Sequence, residues 1–190
     1  MTLNDALAIL SPHLGGAVRI CSNGYMSRAA YGAGDDDASF YMIGSMGLAS
    51  SIGLGVALAR PERRVLVLDG DGNVLMNLGT LATIAAAAPR NLLHVCFDNG
   101  VHASTGAQPT ISGRVDLGEI ARTAGYRTVA RVESPAQLES ALPGFLAGAG
   151  PAFLHVRIVP GPAGGFPGPR IPYEPAEMTA RLRRALGAPA

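Results

Sequence analysis

The chain has no Lys and no Trp, only two Cys, and few charged residues, 15% of its 190. All 15 basic residues are therefore Arg. Without Lys, the chain cannot supply a P-loop lysine, a pyridoxal phosphate Schiff base or an imine-forming aldolase residue. Cys21 and Cys96 lie far apart in apolar, strand-like contexts, so neither a disulfide framework nor a zinc or iron–sulfur cluster can be built from them. A reducing, cytoplasmic setting is expected. The net charge is +1, no basic stripe is present, and the aromatics are only five Phe and five Tyr. That balance argues against nucleic acid as a partner. Globular domains carry about a quarter charged residues, so part of this surface is expected to lie against a partner chain. No stretch long enough to cross a bilayer is free of charge or Pro, and the first residues lack a basic leader, so no membrane role is expected.

What is present is a run of short β-rich segments alternating with helical patterns, the signature of βαβ units. Strands are expected at Val18–Ser22, Phe40–Ile43, Arg64–Asp69, Leu92–Asp98, Thr128–Val132 and Ala152–Val159, with helices at Gly47–Ala59, Leu75–Ala88, Leu117–Ala124 and Pro135–Ala147. The opening residues read as a further helix, with Leu3, Leu7, Leu10 and Leu14 on one stripe and Thr2 and Asp5 spaced as a capping box. The two segments VLVLD and LLHVCFD are almost wholly apolar up to an acidic end, as strands buried on both faces should be. The expected fold is a three-layer α/β/α domain around a mostly parallel sheet, with ligands at the carboxyl ends of its strands. It should occupy 1–158. Residues 159–175 hold six Pro and four Gly and should form an irregular strap, followed by a short helix from Pro175. Strap and helix, 159–190, should pack on the same domain or on a partner.

Directly after VLVLD comes Gly70-Asp71-Gly72-Asn73, a turn that allows close backbone approach and leads into a helix with free N–H groups. Such a turn suits a phosphate. The Asp71 carboxylate would repel a phosphate unless a divalent cation lay between them. Asn99 follows Gly72 after 26 intervening residues, enough for one helix and one strand, so Asp71 and Asn99 should emerge together. Two oxygen ligands plus phosphate oxygens and water satisfy octahedral magnesium. Two competing readings fail. Asp69, Asp71 and Asn73 imitate a calcium loop, but Val74 stands where Gly is required and Thr80 where the closing Glu belongs. Gly53 and Gly55, with Ala59 and Asp69, imitate a dinucleotide fingerprint, but they fall well inside a helix, where tight packing explains them better.

The Gly-Asp-Gly turn and the distant Asn resemble the cofactor motif of thiamine diphosphate enzymes. That resemblance implies that Asp71, the Asn99 side chain and the Val101 carbonyl hold magnesium, while Gly70, Gly72 and Asn73 line the diphosphate. Gly44-Ser45-Met46-Gly47 resembles the family's upstream turn. By the same resemblance the Gly44 carbonyl accepts from the cofactor's 4′-amino group, Ser45 belongs to the turn, and Met46 forces the cofactor into its bent, reactive shape. The Glu that activates the aminopyrimidine sits in these enzymes on a separate pyrimidine-binding domain, for which 190 residues leave no room. A pyrimidine-binding alpha subunit is therefore expected to supply it, in a hetero-oligomer of α2β2 form or larger.

Longer stretches, NGYMSRAAY, FYMIGSMGLASSIGLGVAL, FDNGVHASTGAQPT and RIPYEPAEMTARL, resemble the small subunit of sulfopyruvate decarboxylase and the corresponding part of phosphonopyruvate decarboxylase. The resemblance implies decarboxylation of a 2-oxo acid with an anionic group on C3, giving an aldehyde. His102 lies on the loop expected to reach over the cofactor, where it could donate a proton or bind the substrate carboxylate. Thr105 occupies the position where related decarboxylases place an acid. Arg28, Arg114 and Arg170 are candidates for the substrate's anionic group. His13, His94 and His155 read as structural, and Asp35, Asp36 and Asp37 as a polar turn. Two other activities share parts of these motifs. They are an acetolactate synthase-like carboligase and a 2-oxo acid oxidoreductase subunit, the latter needing clustered Cys that this chain lacks.

Overall fold

The computed structural model describes residues 1–161 and 168–187, so the middle of the expected strap lies outside the described residues. The chain opens with helix α1 (Leu3–Leu10), where Thr2 Oγ1 accepts from the Asp5 amide at 3.2 Å and Asp5 returns a bond to the Thr2 amide at 2.8 Å, closing the expected capping box. The elements that follow are β1 (Val18–Cys21), α2 (Tyr25–Ala33), β2 (Ser39–Tyr41), α3 (Ala49–Ala59), β3 (Val65–Gly70), α4 (Asp71–Met76) and α5 (Gly79–Ala87). The second half contains β4 (Leu92–Asp98), the short β5 (Val101–His102) and β6 (Gln108–Pro109), α6 (Leu117–Ala124), β7 (Thr128–Val132), α7 (Pro135–Ala147), β8 (Ala152–Arg157) and α8 (Pro175–Ala185).

Six strands form one sheet in the order β2-β1-β3-β4-β8-β7, and every neighbouring pair is parallel. Helices cover both faces, because strands such as β3 and β4 are apolar on both sides and must bury both. One core joins α1, α2 and α7 to Leu66, Leu68, Val95 and Leu154. The other joins α3, α5 and α6 to Val65, Val67, Cys96 and Phe153. The three-layer α/β/α fold expected from the sequence is the one observed. The chain runs outward from β1 to β2 and then returns to the other side of β1 as β3. Its topological switch point thus lies at the carboxyl ends of the central strands, where open sheets of this kind bind ligands.

Three elements differ from expectation. Helix α2 carries no side-chain cap and starts from Gly24 at φ +81, so nothing local announces it. The expected helix Leu75–Ala88 is two helices. The backbone breaks at Asn77 (φ −143), whose side chain donates to the Gly47 carbonyl at 3.1 Å instead of facing solvent. The small antiparallel ladder β5/β6 was not expected from sequence.

Gly53 lies against the sheet, and a Cβ there would collide with Cγ2 of Val67 in β3. Gly53 therefore serves helix-to-sheet packing, whereas Gly55 is exposed and has no atom within 4 Å of where a Cβ would stand, so close packing does not account for it. Gly53→Ala is expected to cost about 1–3 kcal/mol through overpacking, read as a lowered denaturation midpoint with an unchanged slope against denaturant.

The Asp35–Asp37 turn does more than turn the chain. Arg181 of α8 pairs with Asp35 and Asp37 at 2.9 Å each and lies 3.8 Å from the centre of the Tyr173 ring, while Tyr173 and Tyr41 also donate to Asp35. Helix α8 is thereby fastened to the edge of the sheet, with Met178 and Leu182 buried beneath it. Burial acts to raise the Asp35 pKa, but the hydrogen bonds from Tyr173, Arg181 and Tyr41 outweigh it, and the carboxyl is held below its ordinary range. A carboxyl lowered in the folded state stabilises fully above its unfolded pKa, near 4, and loses that contribution as pH falls further. The expected result is acid loosening of α8 below about pH 4. Asp35→Asn should flatten the dependence of the melting temperature on pH in that range.

Candidate active site

The strands β3 and β4 are in register so that Gly70 pairs with Phe97, and the next residues of each chain segment leave the sheet side by side. Asp71 and Asn99 therefore arrive at one point although 27 residues separate them in sequence. A cavity of about 190 Å³ opens there, and it is lined by Met46, Gly70, Asp71, Gly72, Asn73, Asn99, Val101, His102 and Thr105. Of the cofactor, metal and catalytic residues expected from sequence, Gly44 and Ser45 lie elsewhere, on a neighbouring cleft with Leu48, Pro175 and Met178.

The turn carrying Met46 is fixed from below. Asn73 Oδ1 accepts from the Gly47 amide, Asn77 donates to the Gly47 carbonyl, and Gly47 itself adopts φ +94, with room for no Cβ between Met76 and Asn77. Ser45 takes the left-handed backbone conformation at φ 54, which costs a non-glycine residue energy and recurs at functional turns. Gly72 is the floor of the cavity. A Cβ on it would stand 2.6 Å from Cε1 and 2.7 Å from Nδ1 of His102, and 3.2 Å from Cε of Met46. His102 and Met46 thus close over the same glycine.

Asp71 is 2% exposed, and burial pushes its carboxyl pKa up against the hydrogen bond donated by Thr110 Oγ1 to Oδ2 at 2.5 Å. Asn99 Oδ1 accepts from the Val101 amide at 2.9 Å, which sets the orientation of its side chain. Asn73 Nδ2 is buried and has no hydrogen-bond partner among the described residues. A desolvated carboxylate calls for a cation and an unpartnered amide N–H calls for an acceptor. Side by side, they suit a cation carrying an anionic oxygen ligand. Among the described residues no three His, Cys, Asp or Glu converge as a metal cage, so a cation here would take only some of its ligands from the chain. That is the habit of magnesium bound with phosphate.

Sequence reasoning missed Thr110, Ser112 and the role of Asp98. Asp98 is wholly buried and accepts from the Gly100 amide, Ser112 Oγ, His155 Nε2 and Arg157 Nη1 at 2.6–3.0 Å. Burial would raise its pKa, but the bonds from His155, Ser112 and Arg157 prevail and lower it to about 2. This anchored charge holds the start of the Asn99–Val101 turn together with Ser112, while the Thr110 amide donates to the Gly100 carbonyl within the turn. His94 likewise braces Asp69 beneath Gly70, at 3.2 Å. His94 and His155 are thus buried supports, as expected. His102 lies on the cavity wall, and the Thr105 hydroxyl touches the His102 carbonyl and Gln108 Oε1. Arg28 donates to the carbonyls of Gly168 and Pro169, Arg114 is exposed, and Arg170 lines an adjoining cleft. Cys21 and Cys96 are buried free thiols on different strands. No helix among the described residues is long and apolar enough to cross a membrane.

Residues 21–156 match the profile described as thiamine pyrophosphate enzyme, C-terminal TPP binding domain. The chain belongs to that family. Among curated relatives, it is 49% identical to the sulfopyruvate decarboxylase subunit beta of Methanothermobacter thermautotrophicus over 76% of this chain and 75% of that one. It is 47% identical to the phosphonopyruvate decarboxylase of Streptomyces viridochromogenes over 91% of this chain. The matched region spans only 43% of that relative's length. Among solved structures, a benzoylformate decarboxylase from Polynucleobacter necessarius superposes with a TM-score of 0.70 at 16% identity, covering 85% of this chain and 34% of that chain. This last likeness concerns the fold. Within the thiamine pyrophosphate enzymes, the chain therefore groups with relatives named sulfopyruvate decarboxylase subunit beta and phosphonopyruvate decarboxylase.

Proposed function

We propose that this chain is the diphosphate- and magnesium-binding subunit of a two-component thiamine diphosphate-dependent decarboxylase. Its substrate would be a pyruvate bearing a sulfonate or phosphonate on C3, and its products an aldehyde and carbon dioxide. The observation that carries the reading is the meeting of a buried Asp71, Asn99 and Gly72 in one cavity beneath Met46 and His102.

In this reading Asp71, Asn99 and the Val101 carbonyl hold the cation, and Gly70, Gly72 and Asn73 receive the diphosphate, with Asn73 Nδ2 gaining the acceptor it lacks. The Gly44 carbonyl and Ser45 form the outer part of the turn, and Met46 props the cofactor from a backbone clamped by Asn73 and Asn77. When bound, thiamine diphosphate supplies the electron sink for the pair released as the carboxylate departs. His102, on the cavity wall, binds that carboxylate or returns a proton to the carbon that lost it. Thr105 steadies the His102 loop. Residues 1–158 form the cofactor domain, with helix α8 (Pro175–Ala185) packed over its edge. The activating Glu comes from a pyrimidine-binding alpha subunit in a cytoplasmic hetero-oligomer of α2β2 form or larger.

The test is carbon dioxide release from sulfopyruvate, phosphonopyruvate and pyruvate by this chain combined with a pyrimidine-binding partner chain, thiamine diphosphate and magnesium. Release from an anionic substrate by the mixture, and from neither chain alone, is the expected result. Acetolactate and carbon dioxide without free aldehyde would make the enzyme a carboligase, and no turnover of any substrate would refute the decarboxylase reading.

Thr110 gives a narrower test of the cation site. Supports of metal ligands typically matter 10- to 100-fold for metal affinity. Thr110→Val, which keeps the shape and deletes the hydroxyl on Asp71, is expected to weaken magnesium binding by about that factor, with Thr110→Ser restoring it. Calorimetry with magnesium and thiamine diphosphate checks this.

A further inference from the structure

A second cleft, of about 390 Å³, adjoins the cofactor cavity and shares Tyr25 and Ser104 with it as common walls. Its lining includes two guanidinium groups, Arg28 and Arg170, and no carboxylate. The two arginines differ in what they do. Arg28 reaches from α2 to the carbonyls of Gly168 and Pro169, so it holds the backbone immediately before Arg170. Pro169 also packs closely on α2, where a Cβ on Gly32 would stand 3.3 Å from its Cδ. On the other side of Arg170, Tyr173 is fixed by its hydroxyl on Asp35 and by the Arg181 guanidinium over its ring.

Arg170 thus stands on a backbone anchored both before and after it, yet its own guanidinium forms no ion pair or hydrogen bond among the described residues. Asp35, the carboxylate that fixes Tyr173, is already shared with Tyr41 and Arg181. An anchored, unneutralised Arg in a cleft without acids is suited to an anion, and its planar fork of donors matches two oxygens of a tetrahedral group at once. The shared wall at Ser104 puts this cleft beside the cavity of Asp71, Asn99 and His102, and adds a hydroxyl donor.

Resting on the decarboxylase reading above, we propose that Arg170 binds the sulfonate or phosphonate on C3 of the substrate and so selects anionic over plain 2-oxo acids. Arg28 acts as the positioning residue that sets the Arg170 backbone. Arg114 takes no part.

The decisive variant is Arg170→Gln in the enzyme reconstituted with its partner, thiamine diphosphate and magnesium. Hydrogen bonds to a charged group are the stronger class, so KM for the anionic substrate should rise on the order of tenfold or more. The rate at saturation should stay near the wild-type value, and pyruvate should be used no less well. Comparing sulfopyruvate with phosphonopyruvate in wild type and variant shows which oxyanion is lost. An unchanged KM for both would overturn the proposal. A second measurement does not need turnover: sulfoacetate and phosphonoacetate are titrated onto the full chain and followed by calorimetry. Binding of either by wild type and its loss in Arg170→Gln supports the subsite even if the decarboxylase reading fails. No binding by wild type, or equal binding by the variant, overturns it.

Discussion

Asp71→Asn is expected to abolish the magnesium-dependent binding of thiamine diphosphate while leaving the fold intact. The carboxylate is buried, so its charge is unbalanced until a cation arrives. Deleting one member of a buried charge pair costs about 2–5 kcal/mol of binding, which is a loss of roughly 30- to several-thousand-fold at 1.4 kcal/mol per decade. The same burial predicts the opposite sign for the empty chain. Asparagine keeps an oxygen for the Thr110 hydroxyl and removes a desolvated charge, so the variant without ligand should melt no lower than wild type. Thermal melts with and without magnesium and thiamine diphosphate separate the two effects. A variant that still gains stability from the ligands would place the cation elsewhere.

Gly72→Ala is the second large effect, and here stability and activity should part company. The new methyl would fall within 2.6–2.7 Å of the His102 ring and 3.2 Å from Met46, so neither side chain can stay where it is. The three atoms met belong to two side chains facing a cavity, and they can move aside. Overpacking costs about 1–3 kcal/mol where the surroundings cannot yield, whereas Ala gains about 0.5–1 kcal/mol over Gly inside helix α4. The net change in stability should therefore be small. The methyl would nevertheless intrude on the surface proposed to receive the diphosphate and displace the two residues proposed to act on cofactor and substrate. A misplacement of about 1 Å is enough for a hundredfold loss of rate, so turnover should fall at least about that far. Near-wild-type turnover would mean that Gly72 does not touch the cofactor.

Much of this architecture can be read locally. The apolar runs Val65–Leu68 and Leu92–Phe97 announce strands buried on both faces, and the acidic residue closing each marks the carboxyl edge where the site lies. The spacing between Gly72 and Asn99 is that of one helix and one strand, so the meeting of Asp71 with Asn99 follows from topology. Other features have no local signature. Helix α2 starts from a glycine without a cap, and the break at Asn77 exists because its side chain serves a turn 30 residues earlier. Thr110 and Ser112 look like ordinary loop residues. Their value comes from carboxylates 39 and 14 positions away, which only the folded sheet brings within reach. The acidic turn at Asp35–Asp37 gains its purpose from Arg181, 144 and 146 residues on.

The central claim is that the cavity beneath Met46 and His102 holds a divalent cation together with a diphosphate. Manganese in place of magnesium, followed by electron paramagnetic resonance on the full chain with and without millimolar thiamine diphosphate, tests it most directly. The account predicts manganese binding that tightens when thiamine diphosphate is added, disappears in Asp71→Asn and weakens in Thr110→Val. Manganese binding that ignores thiamine diphosphate, or that survives Asp71→Asn unchanged, would contradict it.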